Sequence, residues 1–269
     1  MELMKQTEYF LGAFSAVRPA ILNQHLKFAS GKGIKVGVVD SGWDKTLIDD
    51  RIKEGINLVD PDDELSLKVS SNFNDTNGHG TSCAELILRI APEVEIYPIR
   101  VFGKRIETSA NILIEAIKWA VEKNIKVLNF SLGTLLSEAM EPLYSACEFA
   151  RRKGIIIISA NSNSDEWSYP AIFENSIGVE LGNFESIYDF EFRKDEAVEC
   201  IAKGLHNDIL TLSGIRIKSG GNSFAAPVIT GLVSLIVEKN PFHNLDDVRK
   251  YLRKYSRSKF KKPSKSPGP

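Results

Sequence analysis

Three short stretches carry residue types that could perform acyl-transfer chemistry. VVDSGW (38–43) closes an apolar run on Asp40, and NGHGTSCAELILRIAP (77–92) sets His79 between two glycines. GGNSFAAPVITGLVSLIVEKN (220–240) places Ser223 just before a long apolar run. A serine hydroxyl is a poor nucleophile until a neutral imidazole removes its proton. The imidazole needs a carboxylate to hold its tautomer and to stabilise the imidazolium. Each stretch alone also has a plainer reading. Ser223 could simply cap a helix, since a serine oxygen accepts from first-turn N–H groups. His79 could be a turn residue ahead of a helix, although its glycine neighbours let backbone crowd the ring as a site requires. Asp40 ends a buried strand, where an unpaired carboxylate is costly. Its partner is either an imidazole N–H or the backbone of an Asp-Ser-Gly turn. Together the three residues complete one mechanism.

These residues need a frame. IKVGVVD (34–40), VEIYPIRVF (94–102), IKVLNFSLG (125–133), GIIIISAN (154–161) and NSIGVEL (175–181) read as strands. Helical spacing runs through 109–123, with Ile112, Leu113, Ala116, Ile117 and Ala120 on one side, and a further helix is expected over about 137–153. The run 225–237 reads as a buried helix. Strands alternating with helices predict an α/β fold, a three-layer, mostly parallel twisted sheet with helices on both faces. In such sheets chemistry gathers beyond the carboxyl ends of the strands, where Asp40, Ser131 and the Asn-rich turn 161–163 fall. The segment 183–216 reads as an irregular excursion with one or two strands.

Composition narrows the class. With 269 residues, 43% of them hydrophobic and 26% charged, the chain can build a substantial core. A formal net charge of −1 offers no general attraction for nucleic acid or an anionic membrane. Three widely spaced cysteines, without a C-x-x-C pair, argue against a disulfide framework or a zinc site and fit a reducing compartment. The N-terminus lacks the pattern of a signal peptide, and no apolar run is long enough to span a bilayer. A cytoplasmic, monomeric protein is expected. The turn DSGWD after the first strand has no G-x-G-x-x-G, so a dinucleotide site is excluded there.

On these motifs the chain resembles the subtilisin-like serine proteases, the subtilases (peptidase family S8), over roughly 34–237. The order Asp, His, Ser is that of subtilisin. VGVVDSG resembles the family's Asp motif, NGHGTSCAELI its His motif and GGNSFAAPVITG the segment around its nucleophile. IKVLNFSLG is similar to the strand whose edge binds substrate, and GIIIISANSNSDEWSYPA to the segment carrying the oxyanion asparagine. The resemblance implies a serine endopeptidase with Asp40 as orienting carboxylate, His79 as general base and acid, and Ser223 as nucleophile. Counting from Gly154, it implies Asn163 as the side-chain oxyanion donor, with Asn161 two residues away as the runner-up, and the Ser223 N–H as the second donor. Ser131, Leu132 and Gly133 would pair with an extended peptide or protein substrate as an added strand.

Several positions depart from the family pattern. Asn222 stands where Thr is usual, Phe224 where Met is common, Val228 in place of His and Ser162 in place of Gly. CAELILRIAPEVEIYP is too short for the family's calcium-wrapping excursion, so no metal or other cofactor is expected there. Residues 1–33 are too few for the family's folding prodomain, residues 34–254 would form the peptidase domain, and 255–269 form a basic Ser/Pro-rich tail. This pattern suits an intracellular member, acting either on one dedicated precursor, such as the leader of a modified peptide, or in general peptide turnover. Asp165 and Glu166 follow the oxyanion turn and would either favour a basic P1 side chain or stand as solvated loop charges.

Overall fold

The computed structural model describes residues 26, 28–103, 105–164 and 166–256. Eleven strands and five α-helices are named here in chain order. They are β1 (Lys35–Asp40), β2 (Ile56–Val59), β3 (Leu67–Ser70), α1 (His79–Ile90), β4 (Glu95–Arg100) and α2 (Ala110–Glu122). Next come β5 (Val127–Phe130), α3 (Met140–Arg152), β6 (Ile156–Ala160), β7 (Ile177–Gly182), β8 (Phe190–Phe192) and β9 (Cys200–Lys203). The hairpin β10 (Leu205–Leu210) and β11 (Arg216–Gly220) leads into α4 (Asn222–Lys239) and α5 (Leu245–Tyr255). One sheet holds nine strands in the order β3-β2-β4-β1-β5-β6-β7-β9-β8. Its core from β2 to β9 is parallel, and only the edge strands β3 and β8 pair antiparallel.

Helices cover both faces, and the sequence explains why. β6 is buried along its whole length, as a strand between two helical layers must be. Val36 and Val38 point into a core shared with α1, α4 and α5, whereas Val39 points into the opposite core with α2 and α3. The predicted face of α2, Ile112 through Ala120, is the buried one. α4 is apolar on nearly every side because it lies between the sheet and α1. Among the described residues, no helix is long and apolar enough to cross a membrane.

The excursion 183–216 is more ordered than expected, contributing β8, β9, β10 and the first residue of β11. β2, β3 and α5 were not predicted, although α5 has an Asn244 cap and Leu245, Val248, Leu252 and Tyr255 at helical spacing on its buried face. β3 is exposed at every position, so no apolar alternation marks it. β1 lies between β4 and β5, reached by helices on opposite faces. That reversal opens a crevice beyond the strand ends. Asp40 is the last residue of β1, Ser131 follows β5, and Asn161 follows β6, so all three stand on the rim of this crevice.

Candidate active site

Asp40 is wholly buried, and Ser41 N–H donates to its Oδ1 at 2.7 Å. His79 Nδ1 lies 2.8 Å from Asp40 Oδ1 and 2.9 Å from Oδ2. A carboxylate can only accept, so Nδ1 carries the proton and Nε2 presents its lone pair. Nε2 is 3.0 Å from Ser223 Oγ. Residues separated by 39 and 144 positions are thereby joined into one hydrogen-bonded line.

Each member is set by its own element. α1 begins at His79, and its N-cap Gly78 sits at φ 93, where a side chain would be strained and would run into Thr211. The start of α1 is tied down by the buried Asp75. Its Oδ1 accepts from the N–H groups of Asn77 and Gly78, both at 2.8 Å, and its Oδ2 from Thr81 N–H at 2.9 Å and Thr81 Oγ1 at 2.7 Å. Sequence reasoning missed Asp75; the turn residues DTNG around it were the available signal. The imidazole is packed against Phe224, with ring centroids 5.0 Å apart.

Ser223 is the second residue of α4. The N-cap is Gly221 and no side chain caps the helix, so the Ser223 hydroxyl serves His79 instead. The helix starts three residues earlier than its apolar run. Pro227, four residues on, has no N–H to give to the Ser223 carbonyl. Cys83, one turn beyond His79, donates its S–H to that oxygen at 3.6 Å and lies 3.8 Å from His79 Nδ1.

Burial disfavours the imidazolium of His79, but the Asp40 charge and hydrogen bond outweigh it and raise the His79 pKa well above 6.5. Burial pushes the Cys83 thiol up as well, so it stands beside the imidazole as a neutral group. Asp40 is therefore the negative charge that decides the His79 shift. All three cysteines are free and buried.

The two candidate asparagines differ sharply. Asn161 is buried and both ends of its carboxamide are engaged. Its Nδ2 donates to Glu180 Oε1 at 2.8 Å, and its Oδ1 accepts from Ser168 N–H at 3.0 Å and Ser168 Oγ at 3.2 Å. Asn163 is exposed, and its Oδ1 accepts from Asn222 N–H at 2.8 Å. Its Nδ2 has no recorded acceptor among the described residues. A Cβ placed on Gly221 (φ 155) would stand 3.3 Å from Asn163 Oδ1, 3.5 Å from Ser223 Oγ and 3.6 Å from Asn163 Nδ2, so the carboxamide and the hydroxyl border one space. Ser223 N–H, at the positive end of α4, likewise has no recorded acceptor among the described residues.

Beyond β5, Ser131 is buried, Leu132 half-buried and Gly133 exposed, and they form an edge along the same crevice. Thr230 Oγ1 donates to Asn129 Oδ1 at 2.8 Å, and Asn129 Nδ2 donates to Ser131 Oγ at 2.8 Å, a buried chain running from α4 to that edge. Glu166 is exposed, and Asp165 lies outside the described residues, as do residues 1–25 and 257–269. The link from α1 to β4 is the four residues Ala91 to Val94. Asp40, His79 and Cys83 are the one His/Cys/Asp/Glu group among the described residues close enough to share a metal, and they belong to the line described above.

Known proteins share this arrangement of elements. A model of the subtilase family matches residues 31–266. The chain is 31% identical over 238 residues to an intracellular serine protease of Paenibacillus polymyxa, covering 81% of this chain and 69% of that protein. It is 26% identical over 245 residues to the minor extracellular protease Epr of Bacillus subtilis (strain 168), covering 84% of this chain but only 35% of Epr's length. The fold matches the crystal structure of a cold adapted subtilisin-like serine proteinase with a TM-score of 0.67 at 23% identity, over 84% of this chain and 83% of that one. The match spans most of the chain in both sequence and fold, and this protein belongs to the subtilase family of serine peptidases.

Proposed function

We propose that the chain is an active serine endopeptidase. The observation that carries this reading is the unbroken line from Asp40 through His79 to Ser223 Oγ, with contacts of 2.8 and 3.0 Å. His79 Nε2 takes the hydroxyl proton as Ser223 Oγ attacks the substrate carbonyl, while Asp40 holds the ring and stabilises the imidazolium. Charge then builds on the carbonyl oxygen between Ser223 N–H and Asn163 Nδ2, which a preorganised donor pair stabilises without reorganisation. His79 next gives its proton to the departing amine. Water attacks the acyl-enzyme by the same route in reverse. Substrate lies extended along Ser131, Leu132 and Gly133. All these groups come from one chain, so a monomer suffices.

The test is labelling with a fluorophosphonate. Folded wild-type protein is expected to take up the label and Ser223→Ala is not; equal labelling of the two, or none of the wild type, would reject the reading.

We place the enzyme inside the cell, acting on a dedicated precursor rather than in general turnover. Three buried free thiols suit a reducing compartment. The similarity to a relative named as intracellular points the same way. An unrestrained broad protease in such a compartment would be hazardous. Cleavage profiling on a peptide library checks this: selectivity over several subsites is expected, and selectivity at P1 alone would indicate general turnover.

A further inference from the structure

Asn222, next to the nucleophile and in the place where the family usually has Thr, is bonded on every side. It is only 6% exposed. Its Oδ1 accepts from Leu181 N–H at 2.8 Å, which fixes it to the end of β7. Its Nδ2 donates to the Ser162 carbonyl at 2.6 Å and to the Asn161 carbonyl at 3.3 Å. Its backbone N–H donates to Asn163 Oδ1 at 2.8 Å. One residue therefore holds the backbone leading into Asn163 with its side chain and the Asn163 carboxamide with its main chain. Two consequences follow from carboxamide geometry. Once Oδ1 of Asn163 is bound to Asn222 N–H, its Nδ2 is turned away from that bond. The Nδ2 then borders the space beside Ser223 Oγ. A threonine has a single hydroxyl and cannot accept from Leu181 while donating to both carbonyls.

We propose that Asn222 is the positioning residue of the oxyanion site. It holds the turn 161–163 in register with the N-terminus of α4 so that Asn163 Nδ2 and Ser223 N–H face one developing charge. This rests on the reading of Ser223 and Asn163 given above. The turn needs such support because Ser162 is half-buried and Asn163 exposed, so packing alone does not hold them. Misplacing a reacting or stabilising group by about 1 Å can cost on the order of 10²-fold in rate.

The experiment measures the second-order rate of fluorophosphonate labelling, in which Ser223 Oγ displaces fluoride from phosphorus. His79 takes the proton, and the phosphoryl oxygen occupies the oxyanion space. Asn222→Ala is expected to slow labelling roughly 10- to 100-fold. Asn222→Asp keeps the volume and the acceptor for Leu181 but loses both donations, and it is expected to be slowed as much; it serves where the alanine variant does not fold. The discriminating measurement is a double-mutant cycle with Asn163→Ala. If Asn222 acts through Asn163, the double variant is no slower than Asn163→Ala alone, whereas a general structural role gives multiplying losses. Multiplying losses, or an Asn222→Asp variant that labels at the wild-type rate, would overturn the proposal. A wild type that takes up no label would instead sink the underlying protease reading.

Discussion

Replacing Asn163 and Asn161 by alanine, one at a time, separates two neighbours that are chemically identical. In Asn163→Ala the Nδ2 donor beside Ser223 Oγ is lost, while among the described residues the only other bond removed is the one from Asn222 N–H. The expected loss is about 10²–10³ in kcat, or ~3 kcal/mol, a value that comes from subtilisin, a member of this same family. KM should change little, because the donor meets the oxygen only as charge develops. In Asn161→Ala three hydrogen bonds vanish, to Glu180 Oε1 and to the N–H and Oγ of Ser168. Each such bond contributes roughly 0.5–1.5 kcal/mol net, so the fold should lose about 1.5–4.5 kcal/mol. Its kcat should stay near wild type. The assay is steady-state hydrolysis of a chromogenic peptide chosen by cleavage profiling, with urea unfolding on the same preparations. A large loss of kcat in Asn161→Ala combined with a small one in Asn163→Ala would refute the assignment and the geometry behind it.

Further outcomes follow from the same contacts. Because Asp40 raises the His79 pKa, the neutral base is lost at a higher pH than for a free imidazole, so the acid limb of kcat/KM should lie above pH 6.5. Asp40→Asn removes that charge and leaves burial to disfavour the imidazolium; the limb should move down while kcat falls by roughly 10⁴. A limb that stays in place in a pH–rate profile would show that Asp40 does not set it. Gly78→Ala forces a side chain into φ 93 and against Thr211, and it should cost about 1–3 kcal/mol, seen as a thermal midpoint lower by roughly 2–12 °C. Treatment with EDTA is expected to leave activity unchanged, on the expectation that the four-residue α1–β4 link does not hold a calcium ion; loss of activity restored by calcium would overturn that expectation.

Much of this protein was legible before folding. Uniform apolar runs such as GIIIISAN mark strands buried on both faces, and the 3.6-residue spacing of Ile112 to Ala120 marks a helix against them, because burial imposes those periods on the residues themselves. The types of Asp40, His79 and Ser223 were readable as well, since a carboxylate, an imidazole and a hydroxyl can share one proton-transfer line, and their order is that of subtilisin. β3 was not, because an exposed strand leaves no apolar period, whereas α5 carried a readable signal that was passed over: the Asn244 cap and Leu245, Val248, Leu252 and Tyr255 at helical spacing. Other features were decided only in three dimensions. Asn161 and Asn163 have the same side chain and almost the same neighbours in sequence. What separates them is that Glu180 and Ser168 consume one carboxamide while Asn222, 59 positions away, turns the other. Asp75, which was missed, and Asn222, noted only as a departure from the family pattern, likewise gain their roles from their partners. A side chain's chemical type is local, but its hydrogen-bond partner is chosen by packing, and that choice assigns the role.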